Sequence, residues 1–178
     1  MTTLVVAALA SEAAYVPAGL PLAITGIGKV EAASATALAI ARHAPSRIVN
    51  IGTAGALRTG LHGIHLPSLA INHDLDAPSI RALGAEAVDE LEIEDGDGTV
   101  LATGDRFVSD PVVRDVLAQR ASLVDMEGFA VARTAAVLGV PVRLVKVVSD
   151  AADESALEWP QVVDRCARQL GDWLRQRL

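Results

Sequence analysis

At 178 residues, 51% of them hydrophobic but only 3% aromatic, the chain suits one domain over residues 1–178, its core filled by Ala, Val, Leu and Ile. A formal net charge of -7 argues against a nucleic-acid surface, which needs a basic stripe. Cys166 is the only cysteine, so no internal disulfide can form, and its place on an apolar helix face reads as a packed core thiol.

The apolar run from Leu4 to Ala10 is followed by the first basic residue only at Lys29. Lacking a positive leading region, it reads as a buried first strand and not as a secretion signal. No stretch is long enough for a membrane span, and the expected location is the cytoplasm. Leu22–Thr25 reads as a second short strand closed by Gly26-Ile27-Gly28. The Ala-rich segment Val30–Arg42 has no Gly or Pro and predicts a helix that stops before Pro45. Arg47–Ile51 is β-branched and predicts a third strand bounded by Gly52. His65–Asn72 and Thr99–Thr103 read as further strands. Between them, acidic Glu86–Gly98 reads as a solvated helix end and turn.

Pro111–Gln119 predicts a helix capped by Asp110, with Pro at its first position. Ser122–Val124 is a short strand, and Glu127–Leu138 a helix stopped by Gly139. Val142–Val148, the most β-branched run, predicts the central strand. Pro160–Leu178 predicts an amphipathic helix, with Val163, Cys166, Leu170 and Trp173 at three- and four-residue steps. Ser155-x-x-Glu158 matches a capping box, but a helix beginning at Pro160 is preferred. Alternating strands and helices imply a three-layer α/β/α sandwich around a twisted, mostly parallel sheet.

In such sheets ligands bind beyond the carboxyl ends of the strands. Acids recur there: Glu12 after the first strand, Asp125-Met126-Glu127-Gly128 after Ser122–Val124, and Ser149-Asp150 after Val142–Val148. Taken singly, Asp125 or Asp150 could cap a helix, and Glu12 could be a solvated loop acid.

Four segments, Gly26-Ile27-Gly28-Lys29-Val30, Asn50-Ile51-Gly52-Thr53-Ala54-Gly55, Asp125-Met126-Glu127-Gly128 and Val148-Ser149-Asp150-Ala151-Ala152-Asp153, together carry a resemblance. Thr103-Gly104-Asp105-Arg106-Phe107 is a weaker fifth. In order and spacing they resemble the purine nucleoside phosphorylase and methylthioadenosine/adenosylhomocysteine nucleosidase superfamily, over nearly the whole chain and on its nucleosidase branch. That resemblance implies hydrolysis of a purine nucleoside's N-glycosidic bond, with neither metal nor organic cofactor, by a homodimer. Methylthioadenosine and adenosylhomocysteine lead as substrates. A 6-oxopurine or modified nucleoside such as futalosine competes.

The resemblance also implies roles that suit an oxocarbenium-like transition state. Asp150 protonates the leaving purine, a task for a carboxyl with a raised pKa, and Ser149 orients it. Glu12 is the general base for water. Glu127 accepts from the ribose hydroxyls, since an ionised carboxylate can accept from both. Met126 packs against the sugar, Phe107 stacks on the base, and Thr53 lines the ribose and water site.

Phosphorylases of the superfamily clamp phosphate with arginines, one just before the glycine matching Gly52. Here Asn50-Ile51 stands there, which favours water as nucleophile; Arg58 could substitute. Two rivals remain open: a phosphorylase, and a non-catalytic nucleoside-binding module. The chain is shorter than typical nucleosidases, with little between Glu12 and Gly26, and Lys146 stands where they often carry arginine. His73-Asp74-Leu75-Asp76 reads as a surface turn. Trp159 and Trp173 read as packing or interface anchors, not base-stacking residues.

Overall fold

The structure is a computed structural model, described here over residues 2–178. β1 (Thr3–Ala7) is buried along its whole length, as its unbroken apolar run requires. It pairs in parallel with β2 (Leu22–Ile24) on one side. On the other side it pairs in parallel with β3 (Arg47–Ala56). Between those two strands runs α1 (Lys29–His43), entered through Gly28 at φ 95°, a left-handed conformation that glycine adopts without strain.

β3 does not stop at Gly52 as the sequence predicts. It runs on through Gly-Thr-Ala-Gly-Ala, small residues that let it thread between three neighbours. Besides β1, it pairs in parallel with β9 (Val142–Asp150), and its last two residues pair antiparallel with β8 (Leu123–Asp125). The strand flanked by most partners is therefore β3, not the predicted centre at Val142–Val148.

The predicted single strand at His65–Asn72 is two. Pro67 separates β4 (Ile64–His65), antiparallel to β9, from β5 (Leu69–Asn72), parallel to β7 (Val100–Thr103). The acidic stretch after α2 (Ala77–Ala82) is also more than a turn. Glu90–Glu92 forms β6, antiparallel to β5 at the sheet's end. Charged side chains on an edge strand deter pairing with other chains, so an acidic sequence here is compatible with a strand. β7 in turn pairs in parallel with β8.

Helices cover both faces. Odd and even positions of each strand alternate sides, so Leu4, Val6 and Ile48 pack with α1 and with Ala130, Val131 and Ala135 of α4 (Gly128–Val137). Val5, Ala7, Val49, Ile51, Val145 and Val147 face Cys166, Leu170 and Leu174 of α5 (Trp159–Arg177). Burying each of those two leucines contributes about 1.5–3 kcal/mol. α3 (Pro111–Leu117), capped as predicted by Asp110, packs beside Ala102 and Val124. The result is the expected three-layer α/β/α sandwich around a mostly parallel sheet. A 3-10 helix, Glu154–Glu158, precedes α5; its cap is Asp153, not the capping box at Ser155.

Candidate active site

The carboxyl ends of β1, β3, β8 and β9 open into one cavity of 330 Å³. Glu12, Thr53, Phe107, Met126, Glu127, Ser149 and Asp150 all line it. Residues far apart in sequence thus meet because β1, β3 and β9 run parallel and deliver their ends to one side. The antiparallel pairing of β8 with the last residues of β3 brings Asp125–Glu127 there.

Glu12 sits in the turn after β1, only 4% exposed. Its Oε1 accepts from both the backbone N–H and the hydroxyl of Thr53, each at 2.8 Å. Its Oε2 accepts a longer bond from Leu9 N–H at 3.2 Å. Gly52 makes this approach possible: a Cβ there would lie 3.4 Å from Glu12 Oε1 and 3.3 Å from Lys146 Nζ. Both polar groups need that space.

Lys146 is 2% exposed, and Asp125 lies 2.9 Å from its Nζ. Burial acts to lower the lysine's pKa, but the Asp125 carboxylate and its hydrogen bond outweigh it, so the pKa is raised and the ammonium persists. Asp125 is fully engaged. Its Oδ2 also accepts from Gly128 N–H at 2.9 Å, and its Oδ1 from the Thr103 hydroxyl at 2.6 Å. It therefore does anchor the start of α4, while also neutralising a buried cation.

Glu127 accepts from Gly28 N–H at 2.9 Å, which ties the Gly26-Ile27-Gly28 turn to the Met-Glu-Gly segment. Burial first, and then the neighbouring Asp125 charge, push its pKa up to about 7. At the end of β9 a bulge places Ser149 opposite no partner: Ala54 pairs with Val148 and Gly55 with Asp150. The Ser149 hydroxyl lies 2.6 Å from Asp150 Oδ2, and Ala152 N–H donates to Oδ1 at 2.9 Å. The bulge turns two successive side chains toward the same cavity.

The mouth is different. Phe107 is 49% exposed, beside Arg106 and across from exposed Ile27 and Leu157. The loop bearing it is pinned from behind. Asp105 accepts from Lys29 N–H at 2.8 Å and donates its own N–H to Asp74 at 2.8 Å, while Lys29 Nζ pairs with Asp74 and Asn72. His73–Asp76 is thus a structural turn: Asp74 serves this clamp and Asp76 caps α2.

Three participants escaped the sequence reading. Lys146 was legible only as a replacement for arginine; a cation set mid-strand between Val145 and Val147 is itself the signal that a buried acid must face it. Arg106 lines the cavity mouth. Trp159, read as an anchor, lines the cavity, and its indole N–H lies 2.9 Å from Thr53 Oγ1. Arg58 is not brought to the cavity: it is exposed and donates to the Ala118 carbonyl at 3.2 Å.

A family model described as the phosphorylase superfamily matches residues 20–90 and 78–176. The chain belongs to this superfamily. Within it, the chain resembles the nucleosidase branch. It is 32% identical to the 5′-methylthioadenosine/S-adenosylhomocysteine nucleosidase of Bacillus subtilis (strain 168), with 80% of this chain and 73% of that protein covered. The same enzyme of Geobacillus sp. (strain WCH70) is 26% identical, covering 83% and 75%. Among solved structures, the native futalosine hydrolase of Helicobacter pylori strain 26695 superposes with a TM-score of 0.86 at 21% identity, over 98% of this chain and 96% of that one. A mutant of Helicobacter pylori MTAN with 5′-methylthioadenosine in its active site gives 0.87 at 21% identity, over 98% and 96%.

Proposed function

We propose that this chain hydrolyses the N-glycosidic bond of a purine nucleoside, with Glu12 as general base on water and Asp150 as general acid on the leaving purine. The observation that carries this reading is the pairing of those two carboxyl groups in one cavity that is otherwise rich in acid. Glu12, Asp125, Glu127 and Asp150 line it, and Arg106 is the single cation among the described lining residues. An acidic cavity stabilises a developing oxocarbenium ion. It repels a phosphate dianion, which needs an arginine clamp. Hydrolysis is therefore favoured over phosphorolysis.

In this reading Glu127 accepts from the ribose hydroxyls, Met126 packs on the sugar, Thr53 borders the water site, Phe107 stacks on the base and Ser149 orients Asp150. No metal or organic cofactor is needed for these steps. Sequence similarity to the methylthioadenosine/adenosylhomocysteine nucleosidases supports a substrate of that kind; likeness to the futalosine hydrolase fold leaves futalosine in the panel. The exposed apolar groups at the mouth, Ile27 at 53% and Leu157 at 68%, support a homodimer whose second copy covers them. A cytoplasmic location fits small-molecule catabolism, and no helix among the described residues is long and apolar enough to cross a membrane.

The test is chromatographic. Adenosine, inosine, 5′-methylthioadenosine, S-adenosylhomocysteine and futalosine are incubated with the protein, with and without phosphate. Free base together with free sugar, independent of phosphate, is expected. Ribose 1-phosphate would identify a phosphorylase, and binding without base release a non-catalytic module. Sedimentation velocity is expected to give a dimer.

A further inference from the structure

One indole in the cavity wall has a partner that packing alone does not require. Trp159 opens α5, in the wall that also includes Ala156, Leu157 and Pro160. Its Nε1 lies 2.9 Å from Thr53 Oγ1, and that same oxygen lies 2.8 Å from Glu12 Oε1. An indole N–H can only donate, and an ionised carboxylate can only accept. The hydroxyl between them thus has one consistent orientation: it receives from Trp159 and gives its single hydrogen to Glu12.

We propose that Trp159 is a positioning residue for the general base, acting through the hydroxyl of Thr53. The proposal rests on the assignment of Glu12 as base. With the backbone N–H of Thr53 also on Oε1, one residue directs two donors at one oxygen. That oxygen is held, and Oε2, touched only by the longer bond from Leu9, is the one turned over to water. Without the indole, the Thr53 hydroxyl is free to rotate its hydrogen away, and Glu12 loses one of its two short bonds for part of the time. Because Trp159 also lines the cavity, the start of α5 and the base are linked by two hydrogen bonds across residues 12, 53 and 159.

Two measurements test this. The first is base release from 5′-methylthioadenosine, or from the nucleoside of the panel that is cleaved. Trp159→Phe keeps an aromatic ring but has no N–H, and is expected to lower kcat about fivefold with KM little changed. Thr53→Val removes the shared oxygen and lowers kcat at least as far, Thr53→Ser restores most of it, and the double variant Thr53→Val/Trp159→Phe is no worse than Thr53→Val alone. Losses that multiply in the double variant, or no rescue by Ser, overturn the relay while leaving Glu12 as base. An active Glu12→Gln enzyme instead overturns the parent assignment.

The second measurement needs no turnover. In protein with 15N-labelled indoles, assigned with Trp173→Phe, the Trp159 Nε1–H signal is expected to move in both Thr53→Val and Glu12→Gln. A signal that ignores Glu12→Gln shows that the indole and the carboxylate are not joined, and ends the proposal.

Discussion

The floor and the mouth of the cavity are built by opposite means. On the floor, Glu12, Asp125, Glu127 and Lys146 are buried, and each polar group is held by backbone or side-chain partners contributed by several strand ends. At the mouth, Phe107, Ile27 and Leu157 stand partly in solvent, and only the loop beneath Phe107 is fastened. A floor of this kind pays its reorganisation cost during folding and meets the transition state already arranged. The mouth is left for substrate, or a second subunit, to complete. The bond broken is consequently written into the fold more firmly than the molecule that contains it.

The largest expected effects come from Glu12 on the floor and from Asp150, the half-buried acid in the same cavity. Glu12→Gln and Asp150→Asn should each cut base release by roughly 10²–10⁴-fold with circular dichroism unchanged; near-normal rates for either would remove it from its assigned role. Lys146→Met comes next, read as stability. Leaving Asp125 buried without its cation should cost about 3–5 kcal/mol in urea titration. Adding Asp125→Asn should recover part of that loss, because the two sites share one interaction. If Lys146→Met instead unfolds at the wild-type midpoint, the pair is not what holds the floor.

The pH dependence sharpens the contrast further. Glu127 is held up at about 7 by burial and the Asp125 charge, above its unfolded value of 4.5. A raised acid favours its protonated form, so the stability it contributes is full below the unfolded value and is lost as pH rises through about 7. The role proposed for Glu127 in sugar recognition needs the other form. On the acid side of that value kcat/KM should fall about tenfold per pH unit, and in Glu127→Gln that limb should disappear from a lower plateau. At the mouth, Phe107→Ala should be the mildest change. It is expected to raise KM about fivefold through lost stacking and to shift stability by no more than about 0.5 kcal/mol. A collapse in kcat there would erase the division between the two regions.

Much of this was legible in the sequence where one physical rule acted alone. Continuous apolar runs marked the doubly buried strands, and Asp110-Pro111 marked a helix start. The rule that ligands lie beyond parallel strand ends placed Glu12, Glu127 and Asp150 together. Legibility failed where tertiary context overrode local pattern. Gly52 reads as a stop, yet it is the gap through which Glu12 and Lys146 approach. Glu90–Glu92 reads as solvated chain, but becomes an edge strand once β5 offers it a partner. Trp159 could be read only as bulk, since its significance depends on an oxygen 106 positions away in sequence.

The three-way pairing of β3 has a kinetic consequence. Its partners are β1, at the beginning of the described chain, and β8 and β9, both in its last third, with Ile48 set against Val142. Such contacts close long loops and cannot form by local zippering. Folding should therefore be limited by the arrival of β9 beside β3. The amides of Val49 to Ile51 should then exchange with deuterium only through global unfolding, while those of the edge strand β6 escape earlier. The strand that assembles the cavity floor would be the last to open, so the protein should fray at the far edge of its sheet long before it loses the floor.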